Sequence, residues 1–251
     1  MSGSDRQAVE EPAGTLPEGA SHRLHRVGRW ISKVFVRLPF RVRIHRADKV
    51  PRSGGVVLVA NHSSMVDGPL LIGMLPRSAS FLIKQEMFRG ALGWFLRRIG
   101  QLPIRRGEVN REPLLAAVRL LRAGGVVGVF PEGTRGDGPV GDAQHGAAWL
   151  ARTSGACLLP VACRGTRRPE GRRRRFLPRV DVLFGDPVAL PEARGRAGLN
   201  AATERVRAEP VALVAELDAP SGATAVSSGE DTATPGTAER TGGDEAGGNQ
   251  P

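Results

Sequence analysis

Residues 61–67 read NHSSMVD and follow directly on the apolar run VVLVA, so an imidazole, His62, and a carboxylate, Asp67, stand close together where a buried strand ends. Five residues turn a helix through about 500°, leaving the two side chains about 140° apart, so they cannot share one face of a regular helix. They can meet if His62 precedes the helix and Asp67 lies in its first turn, with Ser63 or Ser64 capping a helix that runs through MVDGPLLIGML. Asp67 would then accept the Nδ1–H of His62, leave Nε2 as a free base and stabilise the imidazolium once a proton is taken. A second turn, PEGTRGDG, follows the run VVGVF. There Gly133 permits close backbone approach, Thr134 can donate a hydrogen bond, and Arg135 can grip phosphate oxygens bidentately. Taken singly, each pattern also fits a plain capped helix or a charged surface turn with Glu132 paired to Arg135. A base and a phosphate clamp, each at the end of a strand, make a more specific combination.

The elements that must position these residues can be read from periodicity. FRVRI, VVLVA, SFLIK, VVGVF, CLLPVA and VDVLF are strand candidates, several of them continuous enough for burial on both faces. Helix candidates lie around 66–75, 86–99, 111–123, 142–154 and 200–217, with Asn110 as a cap, Pro113 near a first turn and Gly124–Gly125 as a stop. Such alternation predicts a single α/β domain with a largely parallel mixed sheet flanked by helices. Sites in these sheets gather at the carboxyl ends of strands, where both turns are placed.

The boundaries follow from composition. Residues 1–21 and the acidic tail 219–251 lack apolar periodicity and are expected to be disordered, leaving a domain at 22–218. Its first segment, 22–39, spaces Trp30, Ile31, Val34, Phe35 and Leu38 near helical intervals among Arg26, Arg29, Lys33 and Arg37. Two readings stay open: a basic amphipathic helix at a membrane surface, or a helix that packs its apolar stripe on the domain. The net charge of +11 rests almost wholly on arginine, since Lys33, Lys49 and Lys84 are the only lysines. A field of that sign attracts nucleic acid, anionic membrane or phosphorylated substrates. Aromatic side chains cluster near 30–40 and 81–95 in apolar company and the chain has no tyrosine, which argues against base-stacking platforms and so against a nucleic-acid partner. No apolar stretch approaches the roughly 20 residues needed to span a bilayer, and the N-terminus lacks the apolar core of a secretory signal. Cys157 and Cys163 read as small buried side chains on one strand, and no metal site is expected.

NHSSMVD together with FPEGTR resembles the glycerolipid acyltransferase family. Between them GQLPIRRG resembles that family's second block, with Arg106 at its arginine, and LLPVACRG at 158–165 resembles the fourth, with its proline at Pro160. All of these blocks occur in the family's order over about 40–190. Two departures stand out: Pro103 takes the place of a common phenylalanine, and AQHG at 143–146 stands where lysines often follow the third block.

The resemblance implies transfer of an acyl group from acyl-coenzyme A or acyl carrier protein to the hydroxyl of 1-acyl-sn-glycerol 3-phosphate, with no cofactor beyond that co-substrate. His62 would be the base and Asp67 its orienter, so that the acceptor hydroxyl attacks directly and no acyl-enzyme forms. Arg106 and Arg135 would hold the acceptor phosphate, with Glu132, Gly133 and Thr134 shaping the glycerol side and Lys84 flanking the donor phosphates. Met65, Val66, Phe88, Trp94 and Phe95 are candidates for an acyl groove, and Arg172 to Arg175 for contact with anionic headgroups. Another lysolipid or glycerol 3-phosphate is the alternative acceptor, and a non-catalytic polyanion-binding protein is the alternative of another class. The expected location is the cytoplasmic face of the membrane, held peripherally.

Overall fold

The computed structural model describes residues 15–105, 111–131, 140–167, 176–190 and 195–219. Among them, strands β1 (Arg41–His45), β2 (Val56–Ala60), β3 (Ala79–Lys84), β4 (Leu102–Ile104), β5 (Val126–Val129), β6 (Cys157–Arg164) and β7 (Arg179–Phe184) form one sheet ordered β1-β7-β6-β2-β5-β3-β4. Only β6 and β7 pair antiparallel; the other neighbours run parallel, as the alternation predicts. The helices are α1 (His22–Arg37), α2 (Asp67–Met74), α3 (Gly90–Arg98), α4 (Arg111–Arg122), α5 (Val140–Ser154) and α6 (Gly195–Asp218).

Strand β2 is central, and every residue from Val56 to Ala60 is 0% exposed. Val56, Leu58 and Ala60 face a core that includes Leu70 and Leu71 of α2 and Val36 of α1. Val57 and Val59 face the opposite core, with Leu121 of α4, Leu150 of α5 and Val206 of α6. Covering a large aliphatic side chain from water stabilises by about 1.5–3 kcal/mol, so a strand buried on both sides is a fixed reference for whatever hangs from its end.

Several boundaries differ from expectation. The helix expected over 86–99 is interrupted: a 3₁₀ turn covers Gln85–Met87, and α3 starts only at Gly90, where φ is +55°. Gly93 then packs so closely on Phe88 that a Cβ would lie 2.1 Å from its carbonyl carbon. Strand β4, too short to show a period, pairs with β3 at the sheet edge, where Pro103 is tolerated. Part of the stretch expected to be disordered, 15–21, rests on the domain: Thr15 Oγ1 donates to Ala123 O at 3.0 Å, and Ser21 N to Arg98 O at 2.8 Å. The remainder of 1–21, residues 1–14, and of the tail, 220–251, lie outside the described residues, as does Asn110.

Helix α1 is fixed to the domain by an unexpected side. His25 is 2% exposed and donates Nδ1–H to Ile99 O at 2.7 Å. Val36 is buried, and Gly73 of α2 lies so near the Lys33 backbone that a Cβ there would come within 2.7 Å. The apolar stripe points the other way, with Trp30 65%, Phe35 57% and Leu38 72% exposed. Most of that stripe is therefore not packed on the domain, although Val34 within it is half-buried. Among the described residues no helix is long and apolar enough to cross a membrane.

Candidate active site

Strand β2 ends at Ala60, and His62 lies in the irregular segment before α2, whose first residue is Asp67. This is the arrangement that lets the two side chains meet. His62 Nδ1 lies 3.3 Å from Asp67 Oδ2; the imidazole is 25% exposed and the carboxylate fully buried. The ring is not aligned for a hydrogen bond at that distance. The reason is visible in the other partners of Oδ2, which accepts the backbone N–H of Ser63 at 2.8 Å and of Ser64 at 2.7 Å. Neither serine caps α2. Val66 holds the N-cap position without a side-chain bond, and Asp67 instead folds back to satisfy the amides that precede it. Two amide donors pair Oδ2 of this buried carboxylate while it faces the imidazole, and Oδ1 is buried with no hydrogen-bond partner among the described residues.

Beside β2 in the sheet runs β5, in parallel and with Val59 opposite Val129. The segments after Ala60 and after Val129 consequently leave the same edge of the sheet. Phe130 stacks on His62 with ring centroids 4.4 Å apart, and on Phe81 of β3 at 5.6 Å. Gly128 makes room for Phe81, since a Cβ there would sit 2.2 Å from the ring. From periodicity alone Phe130 is only the end of a strand. A glycine inside an otherwise β-branched run was the available signal that something large crosses that position.

Of the expected phosphate-binding residues, Arg106, Glu132, Gly133, Thr134 and Arg135 lie outside the described residues, as do Arg172 to Arg175. Pro131, immediately before Glu132, is buried beside Phe130 in the chain. Lys84 is exposed at the carboxyl end of β3, on the same edge of the sheet as His62, with β5 intervening between β3 and β2. Arg105, at the end of β4, donates from Nε to Gln85 Oε1 at 2.5 Å. The suggested acyl-groove residues divide: Phe88 is core at 6% exposure, Val66 and Phe95 are half-buried, and Met65 and Trp94 are 64% and 57% exposed. Cys163 is buried near Asp67, and burial first, then that carboxylate, pushes its thiol well above the ordinary range, which makes it a poor nucleophile.

The chain is similar in sequence and in fold to known proteins. Residues 41–164 match the family model described as acyltransferase. The chain is 30% identical over 159 residues, 62% of its own length and 78% of the other's, to the 1-acyl-sn-glycerol-3-phosphate acyltransferase of Bacillus subtilis. It is 29% identical over 175 residues, 68% of this chain and 61% of the other, to the human 1-acyl-sn-glycerol-3-phosphate acyltransferase beta. The crystal structure of the 1-acyl-sn-glycerophosphate (LPA) acyltransferase PlsC from Thermotoga maritima superposes with a TM-score of 0.60 and 27% identity, covering 79% of this chain and 81% of that one.

Proposed function

This chain belongs to the acyltransferase family that includes the 1-acyl-sn-glycerol-3-phosphate acyltransferases, and we propose that it moves a fatty acyl group from acyl-coenzyme A or acyl carrier protein to the free hydroxyl of 1-acyl-sn-glycerol 3-phosphate, giving phosphatidic acid. The observation that carries the chemistry is the approach of His62 Nδ1 to a fully buried Asp67 carboxylate at 3.3 Å. With Nδ1 turned to the carboxylate, Nε2 is the ring nitrogen left to take the acceptor proton. The acceptor oxygen attacks the thioester carbonyl carbon, the tetrahedral oxyanion collapses, the C–S bond breaks, and the departing thiolate receives the proton from the imidazolium. No protein nucleophile enters, so no acyl-enzyme forms, and no cofactor is needed beyond the thioester.

In this reading Arg106 and Arg135 grip the acceptor phosphate, Glu132, Gly133 and Thr134 shape the glycerol side, and Lys84 flanks the donor. The exposed stripe of α1, with Arg26, Lys33 and Arg37 beside it, supports peripheral attachment to the cytoplasmic face of an anionic membrane. Aromatic and aliphatic groups enter the interface while the cations meet headgroups.

Purified protein incubated with a labelled acyl thioester and a panel of lysolipids and glycerol 3-phosphate tests the assignment, with products identified by mass. Phosphatidic acid is the expected product. Product from another acceptor alone would overturn the substrate assignment, and salt-sensitive DNA binding with no acyl transfer would overturn the enzyme.

A further inference from the structure

The parity of the β2–β6 ladder assigns a role to Asn61. Cys157 N donates to Gly55 O at 3.2 Å, which starts the parallel ladder, while Leu158 and Pro160 turn their backbone groups to the opposite edge, toward Val188 and Gly185. Odd-numbered residues of β6 therefore address β2. Were β2 to continue beyond Ala60, Cys163 N would donate to the Asn61 carbonyl and Cys163 O would receive the Ser63 N–H. Neither bond is made. The Asn61 side chain takes both places: Cys163 N donates to Oδ1 at 2.7 Å, and Nδ2 donates to Cys163 O at 2.9 Å. Only one orientation of the carboxamide satisfies both groups, so its direction is fixed.

This substitution has a consequence at the site. Relieved of its ladder partner, Ser63 N donates to Asp67 Oδ2 at 2.8 Å, and the backbone between Asn61 and Ser63, which carries His62, is free to leave the sheet. A residue with no carboxamide would leave Cys163 N–H and C=O unpaired in a part-buried position, which destabilises this arrangement of the strand end. The chain can avoid that cost by extending β2 and returning Ser63 N–H to the ladder, which draws His62 away from Asp67.

We infer that Asn61 is a positioning residue for acyl transfer: its carboxamide stands in for two backbone groups of β2, and so releases the Ser63 amide to Asp67 and turns His62 out of the sheet. The inference rests on reading His62 as the base. It acts through His62 and touches no reacting atom.

The test is a double-mutant cycle between Asn61→Ala and Asp67→Asn, with kcat and both KM values measured per folded molecule as judged by circular dichroism. Asn61→Ala should lower kcat by about 10²-fold, the scale of a misplacement near 1 Å, and leave both KM values within about twofold. In the Asp67→Asn background the same substitution should lower kcat by less than about threefold, because the geometry it protects is already lost. If Asn61→Ala does not fold, Asn61→Asp, which keeps the acceptor for Cys163 N–H, enters the same cycle. An undiminished kcat, a loss confined to KM, or the full loss repeated in the Asp67→Asn background would each overturn the role. His62→Ala run alongside separates the two readings: its retention of activity would remove the base, whereas its inactivity beside an active Asn61→Ala removes only Asn61.

Discussion

The imidazole of His62 lies over the ring of Phe130, centroids 4.4 Å apart and planes 29° from parallel. Phe130 rests on Phe81, and Phe81 fills the space above Gly128. The placing of the proposed base thus depends on a side chain that is absent from the neighbouring strand. Gly128→Ala should drive Phe81 against Phe130 and shift the imidazole. We expect an overpacking cost of about 1–3 kcal/mol in thermal or urea unfolding, together with a fall in kcat of about 10–100-fold. A destabilised but fully active variant would show that the aromatic stack does not set the geometry.

His62→Ala and Arg135→Ala should fail in different ways. Loss of the base should lower kcat by about 10²–10⁴-fold with the melting temperature little changed. Loss of the guanidinium should raise the acceptor KM by about 10-fold or more, the worth of a charge-assisted hydrogen bond, with the donor KM little altered. Thiol release followed at varied concentrations of each substrate distinguishes the two. A change in donor saturation alone in Arg135→Ala would place the phosphate elsewhere.

The outward stripe of α1 predicts a membrane phenotype separable from chemistry. Trp30→Glu combined with Phe35→Glu should reduce co-sedimentation with anionic phosphatidylglycerol vesicles by more than about 10-fold, since each aromatic group withdrawn from water contributes about 1.5–3 kcal/mol. Turnover of a short-chain, water-soluble acceptor should persist. Equal sedimentation of variant and parent would sink the peripheral attachment.

Asp181 on β7 supplies a pH dependence of stability. Burial alone would raise its carboxyl, but His45 Nε2 at 2.9 Å and Arg179 Nε at 3.0 Å outweigh burial and hold it below the ordinary carboxylate range. A carboxylate depressed in the folded state contributes stability that is complete above its unfolded value of about 3.9 and is lost as pH falls through the folded value. Melting temperatures of the parent should therefore fall more steeply than those of Asp181→Asn below about pH 4. Parallel curves would mean that the cluster contributes nothing to folding.

Long apolar runs were the most legible part of the sequence. VVLVA and VVGVF announce strands buried on both faces, and the meeting of His62 with Asp67 follows from placing one before a helix and the other in its first turn. The capping chemistry was not legible. Serine is the ordinary N-cap, and nothing local reveals that Asp67 would turn back to bind the Ser63 and Ser64 amides. Asn61 and Phe130 escaped for a related reason: their partners, Cys163 and Phe81, are distant in sequence and adjacent only once strand order is known. For α1, periodicity locates a stripe but carries no information on which side meets the domain; that is decided by His25, Gly73 and Val36, which make no apolar pattern of their own.

Strand β2 shows no side chain to solvent, yet the imidazole follows two positions after its last residue. Drift in such a molecule is partitioned. Replacements within the strand act on whether the chain folds at all, whereas replacements beyond its rim act on the surroundings of the imidazole. The chemistry at the rim can in this way be altered one residue at a time while the scaffold that carries it stays folded.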